Sequence, residues 1–250
     1  MPQVFVTTSW DDGDPLDLRI AEMLIQHGMT GTFYVPLCDP DRPRLANSDL
    51  RDFVSSGFEI GSHGMLHRNL AKTPRADLRW EISDSKTDLQ QIIGQEVSTF
   101  CYPIGGHNPA VVAEVRRAGY DGARTTRMLS TRTDFDPLAI PTTIQAFRHS
   151  AWAYLKNLLR RGDAKDIFGY CSSLQRCESW TELGRRLFDR VLEEGGVWHL
   201  YGHSWEIEEY GLWQELEEML AYVSSRPGVH YARTVDTLHL VQPVLMTQAA

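Results

Sequence analysis

The sequence lacks the features that mark several large classes of protein. No segment approaches the run of roughly 20 apolar residues that a membrane-spanning helix needs. There is no basic stretch, and 25 Lys and Arg against 33 Asp and Glu give a formal net charge of −8. A nucleic-acid partner or an anionic membrane surface is therefore not expected. The four cysteines include no C-x-x-C pair, which disfavours a zinc knuckle and a thioredoxin-like site.

The amino terminus also lacks a recognisable targeting segment. It reads MPQVFVTTSWDDGDP, without a basic region followed by an apolar one. We therefore expect a cytoplasmic protein whose cysteines stay reduced, with a single bridge between Cys171 and Cys177 as the alternative for that pair. The composition is 42% hydrophobic and 23% charged, which is ordinary for a globular chain.

Short apolar segments alternate with amphipathic helical patterns along the chain. Asn47 or Ser48 is expected to cap a short helix, and Pro74 to open a long one. Residues 148–194 form a helical or irregular excursion. Alternation of strands and helices is typical of parallel βαβ units, so the sequence predicts one α/β domain over residues 1–250. The predicted architecture is a closed or nearly closed barrel, and an open doubly wound sheet is the alternative. The predicted strands are residues 4–10, 30–36, 57–63, 97–102, 120–123, 142–147, 197–201 and 229–233.

Carboxylates and imidazoles follow several predicted strands. Asp11 and Asp12 follow the first strand, His63 and His67 the third, and His203 the seventh. In a parallel barrel these strand ends share one face, where catalytic groups gather. Two imidazoles and one carboxylate, with open coordination positions, suit Zn²⁺ or another divalent first-row metal.

The residues around these strand ends allow more than one role. Because Asp11 and Asp12 are adjacent, their side chains point apart, so that one can ligate a metal while the other acts as a base toward water. The sequence D-D-G-D-P is also typical of a turn. Trp10 and Trp205 either pack in the core or offer a face to a sugar. His199, inside the seventh strand, is expected to be a core histidine.

Four segments, taken in order, resemble the motifs of the polysaccharide deacetylase family, also called the NodB homology or carbohydrate esterase 4 family. The segments are TTSWDDG, SHGMLH, FCYPIGG and LYGHSWE. The resemblance runs from about residue 4 to residue 233. It implies a deformed (β/α) barrel of seven or eight parallel strands. It also implies hydrolysis of an N-acetyl or related amide on an amino sugar with a divalent metal, Zn²⁺ before Co²⁺, Ni²⁺, Mn²⁺ or Fe²⁺.

The same resemblance implies a role for each matching residue. Asp11 would be the general base, and His203 the general acid that protonates the leaving amine. The backbone N–H of Ile104 would bind the oxyanion. The implied metal ligands are Asp12, His63 and His67, and the substrate-binding residues are Trp10, Tyr102, Pro103 and Trp205.

Three departures from the family pattern stand out. Cys101 occupies the position where many members carry an arginine that orients the catalytic aspartate. Arg124 is the candidate replacement, and Cys101 is itself a candidate fourth metal ligand. Gly64 replaces a serine or threonine that orders the loop after the first histidine. The Asp/Trp groove motif has no clear match, so we expect residues 148–194 to rebuild substrate recognition.

Three further functions remain open. The same water and metal could hydrolyse a non-sugar amide. A non-haem iron oxygenase uses the same ligand set, but it usually occupies a β-helix without alternating α-helices. A catalytically silent carbohydrate-binding domain would explain the missing arginine, but it would not need Asp11 as a base. The expected partner is thus a carbohydrate or small amide substrate.

Overall fold

The computed structural model describes residues 3–161, 177 and 179–240. Within these residues, eight parallel strands form one sheet. The strands are β1 (Val4–Asp11), β2 (Thr32–Val35), β3 (Glu59–Ser62), β4 (Thr99–Cys101), β5 (Gly122–Arg124), β6 (Ile144–Gln145), β7 (Gly196–Gly202) and β8 (Val229–Ala232).

Helices separate most of the strands, as the alternating pattern predicts. Their apolar faces pack on the sheet, and in the first helix Ile20 and Leu24 have no exposed surface. The helices are α1 (Asp17–Gln26), α2 (Asn47–Ser55), α3 (Ser85–Ile93), α4 (Pro109–Arg117), α5 (Ala151–Arg161), α6 (Trp180–Glu194), α7 (Ser204–Glu209), α8 (Trp213–Val223) and α9 (Thr234–Thr237).

The sheet is a barrel that stays open between two strands. Its order is β5-β4-β3-β2-β1-β7-β6. Strand β1 pairs with β7 along one edge, and shares its other edge between β8 and β2. In the described part of the chain β5 and β6 do not pair. Residues 125–143 lie between them in sequence and form backbone hydrogen bonds with each other, such as Leu129 N–H to Thr143 O at 2.9 Å. The predicted deformed barrel of parallel strands is confirmed.

Alternation along β1 decides which side chains face the barrel interior. Ser9 pairs in register with Tyr201, and its hydroxyl lies 2.8 Å from Nε2 of His199. Asp11 follows Ser9 on the same face, because side chains alternate along a strand. Trp10 points to the opposite face and is fully buried in the hydrophobic core. The expectation that His199 is a core histidine is confirmed, since it is 2% exposed.

One predicted helix start is wrong and the other is confirmed. Ala46, and not Asn47 or Ser48, is the N-cap of α2, and its backbone N–H donates to the carboxylate of Asp49 at 2.9 Å, which is the half of a capping box that the third helical residue supplies. The helical segment begins directly after Pro74, as predicted, but it is not α-helical throughout. It contains a 3₁₀ turn at Arg75–Asp77 and a π-helical turn at Trp80–Asp84 before α3 begins.

The excursion before β7 is only partly described. It contains α5 and α6, while residues 162–176 and 178 lie outside the described residues. The alternative of a Cys171–Cys177 bridge lies outside them too, because Cys171 is among these positions. No helix in the described ranges is long and apolar enough to cross a membrane.

Candidate active site

Three side chains from the ends of β1 and β3 converge on one point. Oδ1 of Asp12 lies 3.6 Å from Nε2 of His63 and 3.2 Å from Nε2 of His67. The ligand atoms of all three lie within 4.8 Å of one another. The same Oδ1 is buried and has no hydrogen-bond partner among the described residues. A buried carboxylate oxygen facing two imidazole nitrogens fits a divalent cation, which would satisfy all three.

A hydrogen bond fixes the orientation of the His63 imidazole, and a carboxylate lies near that of His67. Nδ1 of His63 lies 2.9 Å from the carbonyl oxygen of Cys101, to which it donates, so that the lone pair of Nε2 faces Asp12. Burial of His63 lowers its pKa to about 4, although neighbouring Asp11 opposes the shift. Nδ1 of His67 lies 3.7 Å from a carboxylate oxygen of Asp39. The neutral His63 ring is therefore ready to ligate a metal at neutral pH.

A carboxylate from another element orders the loop between the two histidines. Oε2 of Glu81 accepts the backbone N–H groups of Met65 and Leu66, both at 3.1 Å. Glu81 is fully buried and lies on the π-helical turn. Gly64 has a φ of +85°, a conformation that glycine adopts without strain. Glu81, a residue that the motif did not reveal, therefore binds the loop in which Gly64 provides no hydroxyl.

The turn after β1 separates the two adjacent aspartates. Asp12 has a φ of 79°, and Gly13 follows with a φ of 62°. This left-handed turn lets Asp12 face His63 and His67 while Asp11 stays on the barrel interior. The second carboxylate oxygen of Asp12 accepts the indole N–H of Trp205 at 2.8 Å. The divergence predicted for this pair of side chains is present.

Arg124 contacts the carboxylate of Asp11, as expected of a replacement for the arginine missing at position 101. Its Nη2 contacts both carboxylate oxygens of Asp11 and lies 2.9 Å from Sγ of Cys101. The guanidinium is fully buried between the rings of Tyr34 and Tyr201, at 5.3 and 4.9 Å from their centroids. Burial alone would raise the pKa of Asp11, but Arg124 and nearby imidazoles lower it to about 2. The contact expected of Arg124 is therefore present.

His203 lies beside Asp11, and Glu206 binds the opposite nitrogen of its ring. Its Nε2 is 3.9 Å from Oδ2 of Asp11, and its Nδ1 donates to Oε2 of Glu206 at 2.6 Å. Gln145 donates to the same Glu206 oxygen at 3.0 Å. Burial disfavours the charged ring, but the hydrogen bond to Glu206 and the nearby aspartates raise the pKa of His203 to about 9. The ring is therefore an imidazolium at neutral pH.

Several predicted substrate contacts are wrong. Trp10 and Tyr102 are fully buried, and Pro103 is buried as well, so none of them offers a ring to a ligand. The hydroxyl of Tyr102 donates to the carbonyl of Leu138 at 2.9 Å, which is a packing role. The alternation of side chains along β1 could have revealed the error for Trp10, because its neighbour Asp11 faces the barrel interior and Trp10 must therefore face the other way.

The remaining predicted positions, Trp205 and Ile104, are accessible to solvent. Trp205 is half-buried, and the guanidinium carbon of Arg42 lies 3.5 Å from its ring centroid. Ile104 has a φ of 57° and is 67% exposed, in the turn that follows β4. A positive φ is rare for a β-branched residue and marks a constrained backbone at this position.

Sequence comparison supports the resemblance for the amino-terminal half of the chain. The profile of the polysaccharide deacetylase family matches residues 1–123. The family resemblance is confirmed. A Bacillus subtilis (strain 168) protein, YxkH, provisionally named a polysaccharide deacetylase, is 24% identical over 123 residues. That alignment covers 48% of this chain and 44% of the relative, so the chain matches less than half the length of this curated deacetylase.

Structural comparison extends the polysaccharide deacetylase fold to nearly the whole chain. A Mycobacterium smegmatis protein, provisionally described as a polysaccharide deacetylase, aligns with a TM-score of 0.69 at 17% identity, over 96% of this chain and 90% of its own. A family 4 carbohydrate esterase from Streptomyces lividans, in complex with acetate, aligns with a TM-score of 0.57 at 14% identity over 93% of each chain. At these identities the likeness shows the fold.

Proposed function

We propose that this member of the deacetylase fold is a metal-dependent hydrolase that removes an acetyl or related acyl group from the amide nitrogen of an amino sugar. One observation carries the proposal. The ligand cluster of Asp12, His63 and His67 lies next to a carboxylate and an imidazolium, Asp11 and His203, whose nearest atoms are 3.9 Å apart. Amide hydrolysis needs a base for water and an acid for the amine.

The donor set supports a divalent metal, and Zn²⁺ is proposed first, ahead of Co²⁺, Ni²⁺, Mn²⁺ and Fe²⁺. A metal held by Asp12, His63 and His67 supplies Lewis acidity to a carbonyl and lowers the pKa of water. Cys101 is not proposed as a ligand. Its thiol lies against Arg124 and Asp11, and burial raises its pKa well above the ordinary value, so it stays a neutral thiol.

Asp11 is proposed to accept the proton of the attacking water. A carboxylate with a pKa of about 2 is a weak base, so this role requires water that is already more acidic than bulk water. Arg124 contacts both carboxylate oxygens, which fixes the Asp11 carboxylate in one orientation. Arg124 is therefore proposed as a positioning residue that does not itself transfer a proton.

His203 is proposed to donate a proton to the leaving amine. Its Nδ1–H is bound to Glu206, so the proton available to a substrate is the one on Nε2, which faces Asp11. An amine anion is a poor leaving group, and protonation at nitrogen removes that barrier. The backbone N–H of Ile104, next to the strand end that carries Cys101, is proposed to stabilise the oxyanion.

The substrate class rests on the fold and its relatives. The family that matches residues 1–123 is named for polysaccharide deacetylation, and the structural relative from Streptomyces lividans holds acetate, the product of such a reaction. A non-sugar amide would meet the same base, acid and ligand cluster. We propose the amino sugar because both comparisons point to carbohydrate.

Release of acetate from an N-acetylated chito-oligosaccharide, measured after loading the protein with Zn²⁺, tests this function. We expect turnover in the wild type and a loss of about 10²- to 10⁴-fold in Asp11→Asn, with Zn²⁺ binding retained. Asp121→Asn, an exposed carboxylate, is the matched control. Sugar binding without any acetate release would instead favour a silent binding domain. Equal rates in wild type and Asp11→Asn would remove the assigned base.

A further inference from the structure

A cation lies at the rim of the site, and the described residues place no carboxylate beside it. The guanidinium of Arg42 stacks on Trp205, with its carbon 3.5 Å from the ring centroid. Among the described residues, no carboxylate oxygen lies within 4.0 Å of it, whereas Arg124, Arg148 and other arginines form such pairs. Other arginines in the described residues, Arg19 among them, also lack such a partner, so the feature that distinguishes Arg42 is its position on Trp205, beside the candidate site.

Arg42 belongs to a connection that is fastened to the catalytic strand ends. Leu37 N–H donates to Gly64 O at 3.1 Å, and Leu45 N–H donates to Gly13 O at 2.8 Å. The first bond ties the connection to the loop of the two histidines, and the second ties it to the turn after β1. The connection is therefore anchored to the candidate site on both sides of Arg42.

The position of Trp205 relates Arg42 to the reacting groups. The indole N–H donates to Asp12, and its ring centroid lies 5.5 Å from that of His203. Trp205 is thus in contact with a ligand side chain, with the imidazolium and with Arg42. A substrate whose amide nitrogen reaches His203 would place a neighbouring substituent within reach of the Arg42 guanidinium.

We infer that Arg42 binds a carboxylate carried by the acylated substrate. The inference rests on the proposed function, because it places the amide at His203. The planar guanidinium, stacked on one face by the indole, keeps its N–H edges available for a bidentate contact with a planar anion. A carboxylate carries the single negative charge that balances the charge of Arg42. Arg42 also covers a face of Trp205, so a neutral sugar ring cannot stack there.

The test uses pairs of N-acetylated compounds that differ only in the charge of the carboxylate. Three pairs of free acid and methyl ester are compared: a glucuronic acid–N-acetylglucosamine disaccharide, N-acetylglucosamine bearing a 3-O-lactyl group, and an N-acetyl amino acid. We expect at least one acid to exceed its ester in kcat/KM by about 10- to 100-fold in the wild type, and Arg42→Gln to abolish that ratio through KM.

A matched variant separates recognition from structure. Arg19 on α1 also stacks on a tryptophan, 3.9 Å from the ring of Trp213, so Arg19→Gln removes the same charge and the same type of contact. It should leave the acid-to-ester ratio unchanged. If Arg42→Gln instead lowers kcat equally for acid and ester, Arg42 only positions Trp205, and the inference is wrong.

Two further outcomes are decisive. If the wild type hydrolyses acids and esters equally, the inference fails while the proposed hydrolysis stands. If no N-acetyl compound, neutral chito-oligosaccharides included, releases acetate, the proposed function fails. The inference then rests on calorimetric binding of the same pairs to the metal-free protein. Equal affinity for acid and ester there would overturn it.

Discussion

Replacing Glu206 by glutamine should lower the pKa of His203 while leaving the shape of the site intact. In the wild type, Glu206 accepts the Nδ1 proton at 2.6 Å, and this bond is the largest influence that raises the pKa to about 9. A hydrogen bond to a charged group contributes roughly 1.5–3 kcal/mol, and 1.36 kcal/mol corresponds to one pKa unit. Glutamine keeps an acceptor oxygen but removes the charge, so we expect the pKa to fall by about 1 to 2 units.

The titration can be followed by NMR of the His203 imidazole in metal-free protein, independently of turnover. Glu208→Gln is the matched control, since Glu208 lies on the same helix and accepts the indole N–H of Trp213 instead. In the active enzyme, the alkaline limb of the kcat profile should move to lower pH in Glu206→Gln alone. A His203 pKa that stays near 9 in Glu206→Gln would refute the role of this carboxylate.

The same shift links His203 to stability. Because the folded pKa of about 9 lies above the ordinary value of 6.5, the stabilisation is fully present below pH 6.5 and is lost as pH rises through about 9. The difference in free energy of unfolding between wild type and Glu206→Gln should therefore be largest at acidic pH. Urea titrations at pH 6 and pH 9.5 measure it, and an equal difference at both values would contradict the linkage.

Three other substitutions test the surroundings of the site. Arg124→Met should lower the free energy of unfolding, measured in urea titrations, by about 3–5 kcal/mol, because it leaves the buried Asp11 carboxylate without its cation. A change below about 1 kcal/mol would contradict the pairing. Glu81→Gln should weaken Zn²⁺ binding, measured by calorimetry, by about 10- to 100-fold, because it weakens the hydrogen bonds that hold the loop of the two histidines. Unchanged affinity would show that the loop keeps its conformation without the Glu81 carboxylate. Gly64→Ser should lower the free energy of unfolding, measured by thermal unfolding, by about 1–2 kcal/mol, because a φ of +85° strains any residue with a Cβ. A variant as stable as the wild type would contradict that strain.

The convergence of the site could be predicted from position in the chain. Asp11, Asp12, His63 and His203 each follow a strand, and parallel strands bring their carboxyl ends to one edge. This rule depends only on strand order and direction, which the alternating pattern shows. The placement of Arg124 on Asp11 also follows, because β5 ends on the same edge.

The parts that sequence reasoning missed depend on local backbone geometry. Glu81 reaches the histidine loop from a π-helical turn within the predicted long helix. No simple sequence pattern predicts such a turn. Arg42 lies in an irregular connection whose path is set by two backbone hydrogen bonds. The resemblance implies a substrate-binding role for Trp10, but the inward direction of Asp11 requires its neighbour to face the core, where Trp10 is fully buried.

The central claim is that Asp12, His63 and His67 hold one divalent metal. The most direct measurement is the Zn²⁺ content per chain of three reloaded proteins: wild type, His63→Ala/His67→Ala and His27→Ala/His230→Ala. The last variant removes two histidines outside the ligand clusters found in the described part of the chain. We predict about one Zn²⁺ per chain in the wild type and the control, and none in the first double variant. Equal metal content in all three proteins, or no metal in any of them, would contradict the account.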